Sequence, residues 1–140
     1  MQLTKNFTLE EFYTSQTANQ MNINNLPTLE AVVNLTRLAD NVMQKIRDHF
    51  NMPVTISSGY RCPSLNAILG GASTSQHLKG MACDFTVKGY TIKQAFDWCK
   101  TNLIYDQLIN EENKWVHISF NHFANRQEVL MYDGNVYKKV

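Results

Sequence analysis

His77 and Asp84 lie in the polar, glycine-rich run from Ser57 to Val87, and His117 lies in the strand-like segment Lys114 to Phe120. Two imidazoles and one carboxylate make a three-ligand set suited to a catalytic zinc ion, with a fourth position left for water. Taken singly, none of the three is diagnostic. A lone Asp in a strand commonly pairs with a surface cation, and a lone His in a strand commonly forms a hydrogen bond. His122 follows the second segment and is a rival third ligand.

Side chains alternate across a strand, which tests the metal reading. Over Ala82 to Val87, the residues Cys83, Phe85 and Val87 point one way and Ala82, Asp84 and Thr86 the other. Over Trp115 to Phe120, Val116, Ile118 and Phe120 make a core face, while Trp115, His117 and Ser119 share the opposite one. Each strand thus offers one ligand from its non-core face. Cys83, on the apolar face, reads as a core thiol although thiolate is the stronger zinc donor.

The elements that must hold these strands are legible. Thr8 and Glu11 fit a capping box, with Phe7 and Phe12 as the hydrophobic staple of a short helix. Ser15 to Pro27 is polar and asparagine-rich and reads as an ordered surface loop. Thr28 caps a long helix running to about Phe50, with Leu35, Leu38, Val42 and Ile46, then Ala39, Met43 and Phe50, on a broad apolar stripe. Met43 on that stripe is core filler, and His49 near the helix C-terminus favours the dipole. Pro53 to Ser57 reads as a strand, Pro63 to Leu69 as a short helix ended by Gly70-Gly71. Thr91 and Gln94 form a second capping box, ahead of Ile92, Ala95, Phe96 and Cys99 on one helix face. Ile104 to Ile109 and Trp115 to Phe120 read as a hairpin, and Asp133-Gly134-Asn135 as a turn between Val129–Tyr132 and Val136-Tyr137. The pattern is one α+β domain, residues 1–140, with a small, mostly antiparallel sheet.

Composition narrows the function. The chain has 140 residues, 44% hydrophobic and 18% charged, so it can bury a core without disulfides or a structural metal. A net charge of +1 supplies no field for nucleic acid or anionic lipid, so no nucleic-acid partner is expected and any charged substrate must meet local groups. Cys62, Cys83 and Cys99 are odd in number and lack a Cys-x-x-Cys pair, so free thiols in a reducing compartment are expected. The N-terminus lacks the apolar run of a signal peptide and no stretch is long enough to span a membrane. The expected location is the cytoplasm of the producing cell, where the chain stays unless another route releases it; a monomer is expected.

Ser58-Gly59-Tyr60-Arg61, Asn66, Gly70-Gly71, Ser75-Gln76-His77, Gly80, Ala82, Asp84 and Trp115-Val116-His117-Ile118-Ser119 together resemble the zinc D-Ala-D-Ala carboxypeptidases, peptidase family M15. The likeness is to the small single-domain, phage lysin-like members, and it extends to the N-terminal Phe7-Thr-Leu-Glu-Glu-Phe12. It implies the fold shared with the hedgehog signalling domain, with helices on one face of the sheet and a zinc cleft on the other. It implies one Zn²⁺ held by His77, Asp84 and His117. It implies hydrolysis of the peptide stems of bacterial peptidoglycan, as a carboxypeptidase or an endopeptidase.

Zinc chemistry then calls for a carboxylate that takes a proton from water and hands it to the leaving amine. Glu111, six residues before His117, is similar in placement to the acid of hedgehog-type and related peptidase sites; Glu112 is the runner-up. Another branch carries its acid three residues before the last histidine, where this chain has Lys114. Arg61 presents a planar fork for a substrate carboxylate or the tetrahedral oxyanion, or else ties its loop to an acidic residue. Ser75 and Gln76 can hydrogen-bond the substrate backbone. Tyr60 and Trp115 can wall the cleft or fill the core. The alternative function is a zinc-containing binding or structural domain without catalysis, to which the Lys114 departure leaves room.

Overall fold

A computed structural model describes residues 1–140. The chain opens with α1 (Leu9–Tyr13), whose capping box forms as the sequence predicts: the Thr8 N–H donates to Glu11 Oε2 at 2.7 Å, and Phe7 packs on Phe12. The asparagine-rich stretch after it is not all loop. It contains α2 (Gln16–Gln20), because the Ser15 hydroxyl accepts from the Ala18 N–H at 3.1 Å and Ala18 is buried.

The long helix runs as α3 (Leu29–Leu38), a π-helical turn (Ala39–Met43) and α4 (Gln44–Phe50). In an unbroken α-helix, Phe50 would sit about 100° round the axis from Ala31. The π turn spends one extra residue, which takes that angle back. Ala31, Leu35, Leu38, Val42, Ile46 and Phe50 are all buried as a result.

Six strands form one sheet: β1 (Val54–Ser58), β2 (Ala82–Val87), β3 (Gln107–Glu111), β4 (Trp115–Ser119), β5 (Glu128–Tyr132) and β6 (Tyr137–Lys139). Their order is β1-β2-β4-β3-β5-β6. Four of the five pairings are antiparallel, while β3 and β5 run parallel, so the sheet is mixed. β3 begins later than the pattern Ile104 to Ile109 suggests. The Tyr105 N–H is taken by the Gln127 side chain instead of a neighbouring strand, and Ile104 is exposed.

The strand phases hold. Cys83, Phe85 and Val87 of β2, Val116 and Ile118 of β4, and Leu108 of β3 join the core with α3, α4 and α6 (Ile92–Asn102). Cys83 is fully buried, its thiol 3.4 Å from the Met43 sulfur. The opposite face carries Asp84, His117, Ile109 and Glu111, and is bordered by α5 (Pro63–Ile68) and the segment leading to a 3₁₀ turn, Gln76–Lys79. No helix is long and apolar enough to cross a membrane.

Candidate metal centre and cleft

Antiparallel pairing sets Asp84 of β2 directly opposite His117 of β4. The His117 Nδ1 lies 2.9 Å from Asp84 Oδ1, and His77 Nε2 lies 3.5 Å from the same oxygen. Each residue offers one donor atom, and the donors all fall within 4.8 Å of one another. Donors held tetrahedrally at zinc bond lengths lie about 3.3 Å apart, a spacing that 2.9 and 3.5 Å bracket. This group can hold a metal ion.

His77 reaches the centre from the 3₁₀ turn. Ser75 caps that turn by accepting from the His77 N–H, and Gly80 ends it in the left-handed region. A Cβ on Gly80 would also lie 2.6 Å from the Ala31 carbonyl oxygen, so this close approach of the turn to α3 requires glycine. The His77 ring is fixed by the Gly59 carbonyl, 2.7 Å from Nδ1. A carbonyl can only accept, so Nδ1 carries the proton and Nε2 keeps its lone pair for the centre. Gly59 is itself forced: a Cβ there would lie 2.2 Å from the Phe12 carbonyl oxygen.

Electrostatics agree with a ligand set. Burial holds His77 below its ordinary pKa despite the nearby Asp84 carboxylate, which favours the neutral imidazole a metal requires. Burial alone would raise Asp84, but hydrogen bonds from His117 and His77 outweigh it and keep the carboxyl well below the usual range.

Arg61 stands beside this centre, largely buried. Its Nε donates to Ser58 Oγ at 2.9 Å, Nη1 reaches Asn66 Oδ1 at 3.4 Å, and Nη2 lies 3.5 Å from Asp84 Oδ2. Glu111 ends β3 on the cleft face, half-buried, in register with Trp115. Burial raises its pKa, His117 opposes that in part, and the charges of Asp84 and Glu112 add to it. Glu112 and Asn113 both adopt positive φ, as a type I′ turn demands, and the Lys114 N–H closes the turn on the Glu111 carbonyl at 2.9 Å. That turn sends Glu112 away from the cleft to an ion pair with Lys114 at 3.5 Å. His122 is exposed beyond β4 and takes no place among the three donors.

The remaining residues singled out in the sequence are placed as follows. Ser75 and Gln76 line the cleft; Ser75 Oγ accepts from the turn it caps, and Gln76 Nε2 donates to Asp106 Oδ2 at 2.9 Å. Trp115 borders the cleft, half-buried. Tyr60 is only 4% exposed and packs in the core, and it also borders the recess beside Ser57 and Ser58.

Sequence reasoning named Ser58 and Gly59 only as part of a motif, with no role, and passed over the buried carboxylate Asp106. Asp106 accepts from the Arg126 backbone N–H, from Arg126 Nε and Nη2, and from Gln76. It ties the segment bearing His77 to the loop before β5. Its only sequence signal was a lone Asp between Tyr105 and Gln107, just ahead of the apolar pair Leu108-Ile109.

A family model described as Peptidase M15 matches residues 5–119, from the first helix through both ligand strands. A search of curated proteins for relatives finds no match.

Proposed function

The chain belongs to the M15 peptidase family, and on that premise we propose that it is a zinc-dependent peptidase acting on the peptide stems of bacterial peptidoglycan. The observation that carries this reading is the convergence of His77, Asp84 and His117 in the same cleft as a half-buried Glu111. In this reading residues 1–140 form one domain of the hedgehog/DD-peptidase type. Its bearer is a lysin that meets the wall after release, or as part of a virion.

His77 Nε2, an Asp84 oxygen and His117 Nδ1 would hold the ion. When bound, zinc supplies Lewis acidity for a peptide carbonyl and for water. The chain's own groups do the rest. Glu111 takes the proton of the attacking water and delivers it to the leaving amine as the C–N bond breaks. Its cleft-side burial keeps it a stronger base than a solvated carboxylate. Arg61 faces the oxygen on which negative charge develops, preorganised by Ser58 and Asn66. Trp115 walls the site and excludes water.

Incubation of zinc-loaded protein with purified peptidoglycan, followed by mass spectrometry of released fragments, tests the proposal. Stem-peptide cleavage that stops when a chelator removes the metal is the expected result. No cleavage of any wall substrate by fully loaded protein would favour a non-catalytic binding domain.

A further inference from the structure

The cleft does not stop at the three donors. A recess of about 710 Å³ covers the β3–β5–β6 side, reaching Gln107, Ile109 and Leu130. A second, of about 440 Å³, covers the β1 side, between Ser57-Ser58 and the residues Thr14 to Thr17 that lead into α2. Arg61, Leu69, Asp84 and Trp115 border both. Strand register gives the reason. Ser58 pairs with Asp84, Asp84 with His117, His117 with Ile109, and Ile109 with Leu130. These five form one row across the sheet, with the candidate ligands Asp84 and His117 inside it and a recess at each end.

From this we infer that the centre lies in a through-going groove, and that the chain is an endopeptidase, cutting within a peptide rather than trimming its C-terminus. The inference rests on the peptidase reading above. Four strand spacings cover about 19 Å, the length of about six extended residues, so substrate has room on both sides of the scissile bond. A carboxypeptidase instead needs one side closed within a residue or two, with a free cation to meet the terminal carboxylate. Neither end offers one. The β1-side recess beyond Arg61 is lined by uncharged Thr14, Ser15, Gln16, Thr17 and Ser57. At the other end, Arg126 is committed to Asp106 through two of its nitrogens, with Glu128 3.9 Å from the third. Arg61 lies at the junction, against Asp84, where it serves the reacting carbonyl rather than a chain end.

The test uses zinc-loaded wild-type protein on three probes: a stem pentapeptide with a free C-terminus, its C-terminal amide, and cross-linked stem dimers from purified peptidoglycan. The amide and the dimer should be cut at rates within about tenfold of the free acid or faster, and each product should retain two or more residues. Filling the β1-side recess with Gln16→Trp, an exposed position, should slow all long probes by about fivefold or more with zinc content unchanged. Cleavage of the free acid alone, releasing one amino acid, would overturn the inference and leave the peptidase reading intact. An unchanged rate in Gln16→Trp would overturn the assignment of that recess to substrate. Cleavage of none of the three would defeat both readings.

Discussion

The most exacting perturbation touches neither a candidate ligand nor an acid. Gly59→Ala would place a Cβ 2.2 Å from the Phe12 carbonyl oxygen and 2.9 Å from its carbon. Real Cβ contacts do not fall below 3.0 Å, so the backbone at Gly59 must retreat by at least about 0.8 Å. The Tyr60 N–H bond to Phe12, 2.7 Å long, then stretches or breaks. More important, the Gly59 carbonyl moves relative to His77 Nδ1. A displacement of that size along the bond takes 2.7 Å to about 3.5 Å, the outer limit of a hydrogen bond. His77 then loses both its tautomer bias and its ring orientation. Loss of such an outer partner lowers metal affinity by about 10–100-fold, equivalent to about 1.4–2.7 kcal/mol. Overpacking adds a fold-stability cost of about 1–3 kcal/mol.

Competition titration of zinc against a chromogenic chelator reads the first effect, and thermal unfolding of the metal-free protein reads the second. Gly70→Ala is the control. Gly70 also borders the cleft and has φ +74°, yet nothing lies within 4 Å of the Cβ position. It should lose about 1 kcal/mol to backbone strain and keep its zinc affinity. Wild-type zinc affinity in folded Gly59→Ala, or an equal loss in Gly70→Ala, would refute the reasoning.

Three further outcomes are expected. His117→Ala should lose most of its zinc by elemental analysis, and full retention would transfer the third ligand to another group such as His122. Glu111→Gln should keep its zinc while turnover falls by about 10²–10⁴-fold, whereas Glu112→Gln should be near wild type. Because burial raises the Glu111 pKa in the fold, its ionisation costs stability above the ordinary carboxylate range, so Glu111→Gln should also melt higher at neutral pH and match wild type in acid. Asp106→Ala should cost about 1–3 kcal/mol at neutral pH by leaving the Arg126 and Gln76 donors unpaired. Burial opposes its ionisation, but the Arg126 and Gln76 bonds prevail and lower the pKa. Its stabilisation is therefore full above the ordinary carboxylate range and fades as pH falls through the depressed value, where denaturant melts of variant and wild type should converge.

The contrast between Glu111 and Glu112 shows where legibility in the sequence ends and why. Period-two alternation put Asp84 and His117 on one sheet face and Cys83 on the other, because a strand's side-chain direction is a local property. Both capping boxes were legible for the same reason: each is closed by residues three apart. α2 was passed over although Ser15 supplies a cap, since a polar segment with a single buried residue has no periodicity to announce it. The π turn was invisible because it leaves the apolar stripe looking continuous. The parallel β3–β5 pairing depends on a return through residues 120–127 that no short-range pattern encodes.

The centre's supporting atoms were hidden for a different reason. The Gly59 carbonyl that orients His77 is backbone, and backbone atoms have no letter in a sequence. Gly59 was visible only as a glycine, and its cause, contact with Phe12 of α1, lies at the far end of the chain. The family match, residues 5–119, spans both sides of this contact. The N-terminal helix contributes no donor to the centre, yet its last turn fixes the backbone that fixes His77, so a chain lacking α1 would lose the geometry while keeping all three donors.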